Sequence, residues 1–306
     1  MKTNSRIYIA DQEGFVGSAI YKTLYAGGYR HILKPKRKLD FLDRDAVERF
    51  FRIQKPEYAF LVFQKSASIA GNIAHPATLL QENLLSASHL IHAAALARVK
   101  RVLFLGASCM YAKQATQPIR EDAFLMGPVE ATSKAYAIAK IAGIEMCQAS
   151  EKEYGMEYIA AVPATFYGPG GHFFTENAHV LGALLGKFLH AVKHDLPEVT
   201  VWGSGRPKRE FIYIDDFVRA VILLMKKAPS GIYNVGSGKE ISIRALAHLI
   251  KRETGFRGKI IFDARKPDGA MRKILSSKKI MRIGWKPRTS LVSGIRKTLR
   301  WLAATT

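Results

Sequence analysis

The sequence predicts an α/β protein built on a doubly wound parallel sheet, with helices on both faces and a smaller C-terminal α/β lobe. Three observations carry that expectation. Short apolar runs suited to buried strands recur at 6–10, 59–63, 102–105 and 158–162. Long helix-compatible segments separate them, 77–96 and 135–153 being the clearest. Beyond Pro163 the alternation loosens into Gly/Pro-rich stretches at 168–171 and 203–207. Strands alternating with helices pair in parallel, because each crossover must carry the chain back to the same end of the sheet.

Taken in order, the run at 6–10 leads through a glycine-containing turn into Val16, Ile20 and Leu24, whose spacing marks one face of a helix. The pattern is a strand–turn–helix opening. The runs at 59–63 and 102–105 each precede a helical segment, and 158–162 closes the first half. After it, helices interleave with short strands. Residues 1–163 are expected to form the first domain, with a few later segments returning to it, and 164–306 mainly a second lobe. There is no internal repeat and no low-complexity linker.

Composition narrows the class. With 306 residues, 48% of them hydrophobic, the chain has enough apolar surface for a large core and lacks the signature of disorder. No run approaches the roughly 18 apolar residues of a membrane span. The start of the chain resembles neither a secretory nor a transit peptide, so a cytoplasmic location is expected. Two cysteines, Cys109 and Cys147, make no disulfide framework. The sequence suggests no metal site. The unusual quantity is the net charge of +22, much of it in 251–300, where sixteen lysines and arginines face three acids. An RNA or other large-assembly partner and a merely solvated basic face both remain open, and no nucleic-acid motif accompanies the charge.

Tyr136 and Lys140 stand four residues apart in a helix-compatible run, on one helical face. A nearby cation favours phenolate, so this pair can pass a proton to a carbonyl as hydride arrives.

The stretches at 14–20 (GFVGSAI), 91–111, 136–147 (YAIAKIAGIEMC), 201–216, 233–238 (YNVGSG) and 262–273 (FDARKPDGAMRK) together resemble the GDP-L-fucose synthases of the extended short-chain dehydrogenase/reductase family. The resemblance spans nearly the whole chain. It implies a Rossmann-type fold, a homodimer in which the 77–96 and 135–153 helices of two copies form a four-helix bundle, and an NADP cofactor. It also implies a reaction: epimerisation of GDP-4-keto-6-deoxy-D-mannose at C3 and C5, then reduction at C4. Cys109 and His179 match the family's proton-exchanging pair, and Tyr136 and Lys140 its reducing pair. Lys187, Trp202, Arg209 and Asp268 match positions expected to hold the GDP-sugar. Gly14, Phe15, Val16, Gly17, Lys140 and Pro163 are expected around the dinucleotide. Lys36 and Arg37, in the basic run 34–38, suit the 2′-phosphate that distinguishes NADP from NAD. Cys147 is expected in the core.

The chain departs from the family where the dinucleotide should lie. Asp11 replaces the first glycine of the turn, and Glu13 adds a second carboxylate. Ala107 replaces the family's catalytic serine, and Ser108 is one residue out of register with it. Val62-Phe63-Gln64-Lys65 replaces a run of small residues, and Thr165 an asparagine. Three readings follow: an active GDP-sugar epimerase/reductase, a homologue that binds the sugar without reducing it, and a former enzyme reused as a basic scaffold.

Overall fold

The computed structural model describes every residue except 67, 68, 176, 177, 267 and 306; Pro267, within the 262–273 motif, is thus outside the described residues. The first half runs β1 (Ile7–Ala10), α1 (Phe15–Ala26), β2 (Ile32–Leu33), α2 (Arg44–Gln54), β3 (Tyr58–Leu61), α3 (Ile69–Ala74), α4 (Pro76–Leu96), β4 (Arg101–Leu105), α5 (Lys134–Tyr154) and β5 (Glu157–Pro163). The second runs β6 (Thr165–Tyr167), α6 (Val180–Lys193), β7 (Glu198–Trp202), β8 (Lys208–Tyr213), α7 (Ile214–Lys227), β9 (Gly231–Val235), β10 (Glu240–Ser242) and α8 (Ile243–Thr254). It ends with β11 (Lys259–Asp263), β12 (Arg272–Lys273), α9 (Lys278–Met281) and α10 (Leu291–Thr305).

Six strands form the central sheet in the order β2-β1-β3-β4-β5-β9, every pair parallel. This is the doubly wound, Rossmann-type arrangement that the sequence predicts. Its strands are almost wholly buried because α4 and α5 cover one face and α1 and α7 the other. Strand order reverses between β1 and β3, and loops leaving the carboxyl ends of strands at such a switch point form the ligand crevice. Asp11 and Gln64 lie on those two loops. A second apolar cluster, with Phe188, Leu246 and Ile250 at its centre, holds α6, α8 and α10 against the smaller sheets. In those sheets β8 lies between β10 and β12 and also pairs with β6, while β7 pairs with β11.

The third strand ends at Leu61, two residues before the apolar run does. Beyond it the backbone leaves the sheet and turns to side chains: Lys65 exchanges hydrogen bonds with Asn83 in both directions, each 2.9 Å. Part of the cationic excess in 251–300 is also used inside the fold. Arg252 and Arg296 share Glu253, Arg265 pairs with Asp263, and Arg272 reaches Glu240 at 2.7 Å. Among the described residues no helix is long and apolar enough to cross a membrane.

The contact that positions the site is between α5 and β4. Gly143 lies directly on the Phe104 ring, where an added Cβ would fall 2.3 Å from Cζ. Gly143→Ala is therefore expected to lower stability by about 1–3 kcal/mol despite alanine's better helix propensity. Urea unfolding would show it, and an unchanged midpoint would mean that α5 can retreat freely.

Candidate active site and dinucleotide turn

With α5 this close to β4, Tyr136 and Lys140 are carried beneath the carboxyl end of the sheet. Both are buried. The Lys140 ammonium donates to the Leu105 carbonyl at 2.9 Å and to that of Phe63 at 3.5 Å. It lies 5.5 Å from the centre of the Tyr136 ring and 5.1 Å from that of Phe104. Tyr136 donates its hydroxyl proton to Gln64 Oε1 at 2.9 Å. Cys109 sits on the short turn Ser108–Met110 that follows β4, in the electrostatic field of Lys273 and Lys140 and hydrogen-bonded to Ser133.

Burial sets the protonation states. It pushes Lys140 down to about 7, although the Cys109 sulfur opposes the shift. It pushes the Tyr136 phenol well above its ordinary value, with Cys109 adding to the effect. The Cys109 thiol is also raised by burial, and Lys273 and Lys140 resist that rise. Cys147 lies wholly in the core, where burial raises its thiol too, as expected of an inert packing residue.

A cationic arm extends from this cluster. Lys273 on β12 is the strand-register partner of Arg209 on β8. The two connect neighbouring charges: Lys273 acts on Cys109 on one side, and Arg209 is in the field of Asp268 on the other. Burial depresses both cations. Asp268 accepts from the Ser204 amide at 3.0 Å and from its hydroxyl at 2.6 Å. Trp202, at the end of β7, exposes 59% of its surface, with the Lys187 and Lys266 ammonium groups 5.6 and 5.3 Å from its ring centre. Lys187 donates to the Thr200 carbonyl at 2.9 Å.

His179 is the N-cap residue of α6. Desolvation and neighbouring His172 hold its imidazole below the usual value. Among the described residues no hydrogen bond joins it to Cys109. Sequence reasoning had assigned no role to Lys273 or to the Gln64 side chain. Lys273 lies within the recognised 262–273 stretch, but its place beside Arg209 depends on β8–β12 pairing.

At the turn after β1, Asp11 adopts a φ of 57°, in the left-handed region that glycine occupies freely. An added Cβ at Gly17 would lie 2.1 Å from the Asp11 carbonyl oxygen, so only glycine lets α1 approach β1 this closely. An added Cβ at Gly14 would lie 2.1 Å from Asp11 Oδ2, which means that the carboxylate is folded onto the N-cap of α1. Burial and Glu13 raise the Asp11 carboxyl, and Lys38 opposes them. Glu13, the second carboxylate near the turn, is exposed. It points outward to Lys34, 3.2 Å away.

The profile of the NAD dependent epimerase/dehydratase family matches residues 7–236. The chain belongs to this family. It is 42% identical over 294 residues to a GDP-L-fucose synthase of Sinorhizobium fredii, covering 96% of this chain and 94% of that one. Among solved structures, a Campylobacter jejuni GDP-6-OMe-4-keto-L-xylo-heptose reductase is similar at a TM-score of 0.93 and 30% identity, covering 100% of this chain and 99% of that one. A GDP-mannoheptose C4 reductase of the same organism, solved with NADP bound, has a TM-score of 0.89 and 32% identity, covering 99% of each chain.

A family dinucleotide has a frame here. Gly14 and Gly17 allow the close β1–α1 approach, and the positive end of α1 favours phosphate. Phe15 packs edge-on against Phe166, and Pro163 closes β5 opposite Val235. Lys36 and Arg37 are exposed on the loop after β2. The residues fit a dinucleotide, with one internal competitor: Asp11 already places an anion at the helix end.

Asp11→Gly is expected to tighten NADPH binding about tenfold, the equivalent of removing about 1.4 kcal/mol of repulsion and strain. Fluorescence titration would read this directly, and unchanged affinity would clear Asp11 of the obstruction. Lys140 predicts a pH effect on stability. Between about pH 7 and 10.5 the unfolded chain retains a proton that buried Lys140 has released, so wild-type stability rises with pH through that window. Below it, burial of the charge costs at most about 5 kcal/mol. Lys140→Met should therefore gain most on the wild type near pH 6 and least near pH 10, by urea unfolding at both values. A difference independent of pH would contradict the assignment.

Proposed function

We propose that this protein is an NADPH-dependent epimerase/reductase acting on GDP-4-keto-6-deoxy-D-mannose or a closely related GDP-4-keto sugar. The observation that carries the reading is the series of ionisable groups that act on one another from buried Tyr136 and Lys140 through half-buried Cys109 to half-buried Lys273 and Arg209. It joins a proton-transfer centre to cations suited to a diphosphate.

The sugar's 4-keto group acidifies the hydrogens on C3 and C5. Each inversion requires a base to remove a proton from one face of the carbon and an acid to return one to the other. His179 is held neutral and Cys109 protonated, so the pair starts with one group able to accept and one able to donate. Arg209 and Lys273 hold the diphosphate, and the exposed Trp202 ring, flanked by Lys187, offers a stacking face for the nucleotide end. Bound NADPH supplies hydride to C4. Tyr136 gives its hydroxyl proton to the O4 oxygen, and the Lys140 ammonium stabilises the phenolate left behind.

A scaffold would gain nothing from burying a phenol and an ammonium group beside a half-buried thiol, because desolvating them lowers stability. A homodimer through α4 and α5 is supported by the apolar side chains these helices leave exposed, among them Leu85, Leu96 and Ile138.

Purified protein given the GDP-4-keto sugar and NADPH is expected to consume NADPH and, in D2O, to place deuterium at C3 and C5. Tyr136→Phe should slow reduction by about 10²–10⁴-fold and leave deuterium exchange in place. Cys109→Ala should abolish the exchange. Failure of the wild type to consume NADPH with this or a related sugar would overturn the reading.

A further inference from the structure

A ketone under reduction develops negative charge on an oxygen with two lone pairs. Tyr136 answers one of them and delivers the proton. A second donor is needed to hold the oxygen in place and stabilise its charge, and such a donor is worth several kcal/mol when preorganised. Position 107, at the carboxyl end of β4, holds an alanine in extended backbone and donates nothing. Gln64, by contrast, is in direct contact with the acid: its Oε1 accepts the Tyr136 hydroxyl proton at 2.9 Å.

Gln64 is also held on both sides. The carbonyl before it, on Phe63, receives the Lys140 ammonium at 3.5 Å. The residue after it, Lys65, is clamped at its amide and its carbonyl by the buried Asn83 side chain, itself fixed to the Leu79 carbonyl at 2.7 Å. The Lys65 ammonium closes the clamp on Glu82 at 2.6 Å. With Oε1 engaged by Tyr136, Gln64 Nε2 has no hydrogen-bond partner among the described residues. Amide geometry keeps Nε2 within roughly 5 Å of the Tyr136 oxygen, so one carbonyl oxygen can accept from both groups at ordinary distances of about 2.7–3.0 Å.

We propose that Gln64 is the second donor of the reduction: Oε1 holds the Tyr136 hydroxyl until the sugar binds, the hydroxyl then turns its one proton to the 4-keto oxygen, and Nε2 donates to that same oxygen as hydride reaches C4. The bulk that Val62-Phe63-Gln64-Lys65 brings to this loop thereby has a use, replacing at β3 the hydroxyl absent at the end of β4. The proton balance is unaltered. O4 takes its proton from Tyr136, the phenolate is stabilised by Lys140, and Gln64 neither gains nor loses a proton. The inference rests on the reductase reading above.

The test is a cycle of Gln64→Ala, Gln64→Ala with Ala107→Ser, and the wild type, assayed for kcat, KM and NADPH affinity. A parallel measurement is the ¹⁹F spectrum of fluorotyrosine-labelled protein, in which the Tyr136 resonance is the one lost in Tyr136→Phe. Gln64→Ala is expected to lower kcat about 10²-fold with NADPH affinity unchanged, and to shift the Tyr136 resonance. Adding Ala107→Ser should restore kcat at least tenfold and move the resonance back. An unchanged kcat in Gln64→Ala would overturn the proposal, as would a loss that serine does not reverse. Faster turnover with tighter NADPH binding would instead make Gln64 an obstruction. A wild type without turnover defeats the reductase reading itself and the donor role with it, whereas an active wild type indifferent to Gln64 defeats only the latter.

Discussion

An ammonium group kept almost entirely from water is expensive, and the arrangement around Lys140 is what makes it tolerable. Two backbone carbonyls, of Phe63 beyond β3 and of Leu105 at the end of β4, accept its protons, and the faces of Phe104 and Tyr136 cover it. That placement is possible only because Gly143, one turn further along α5, lets the helix rest on Phe104. The same packing buries Tyr136, raises its phenol and brings it to Gln64. The helix, the strand ends and the acid are thus parts of one packing solution.

From that centre the series of ionisable groups continues through Cys109 into the second lobe. Lys273 and Arg209 are neighbours because β12 and β8 run parallel and in register, and burial depresses both. Two adjacent desolvated cations repel each other, so the folded chain holds an unfavourable pair that an anionic ligand relieves. A diphosphate bound there would bring its sugar toward Cys109 and Tyr136. Affinity for the nucleotide and orientation of the ring then have the same physical source.

The dinucleotide turn works against this economy of charge. Asp11 accepts a strained left-handed backbone and carries its carboxylate onto the N-cap of α1, where the helix field favours an anion. Lys38 moderates that charge, and Lys34 draws Glu13 outward. The basic run after β2 is therefore divided: part of it neutralises the turn, and Lys36 and Arg37 are left for a phosphate.

Much of this was legible in the one-dimensional pattern. The alternation of apolar runs and helical segments prescribes a doubly wound parallel sheet, since few other arrangements bury those faces. Tyr136 and Lys140, four residues apart, share a face of any α-helix, and the recognised stretches pointed to Cys109, Arg209 and Asp268. Those are local properties, encoded within a few residues of the chain. Strand registry and crossovers decided the rest: that Lys273 completes the line between Arg209 and Cys109, that His172 adds its field to His179, that Glu13 turns away to Lys34, and that Gln64 reaches Tyr136. Which side chains share a buried space depends on how distant segments pack. No spacing within a single segment records it.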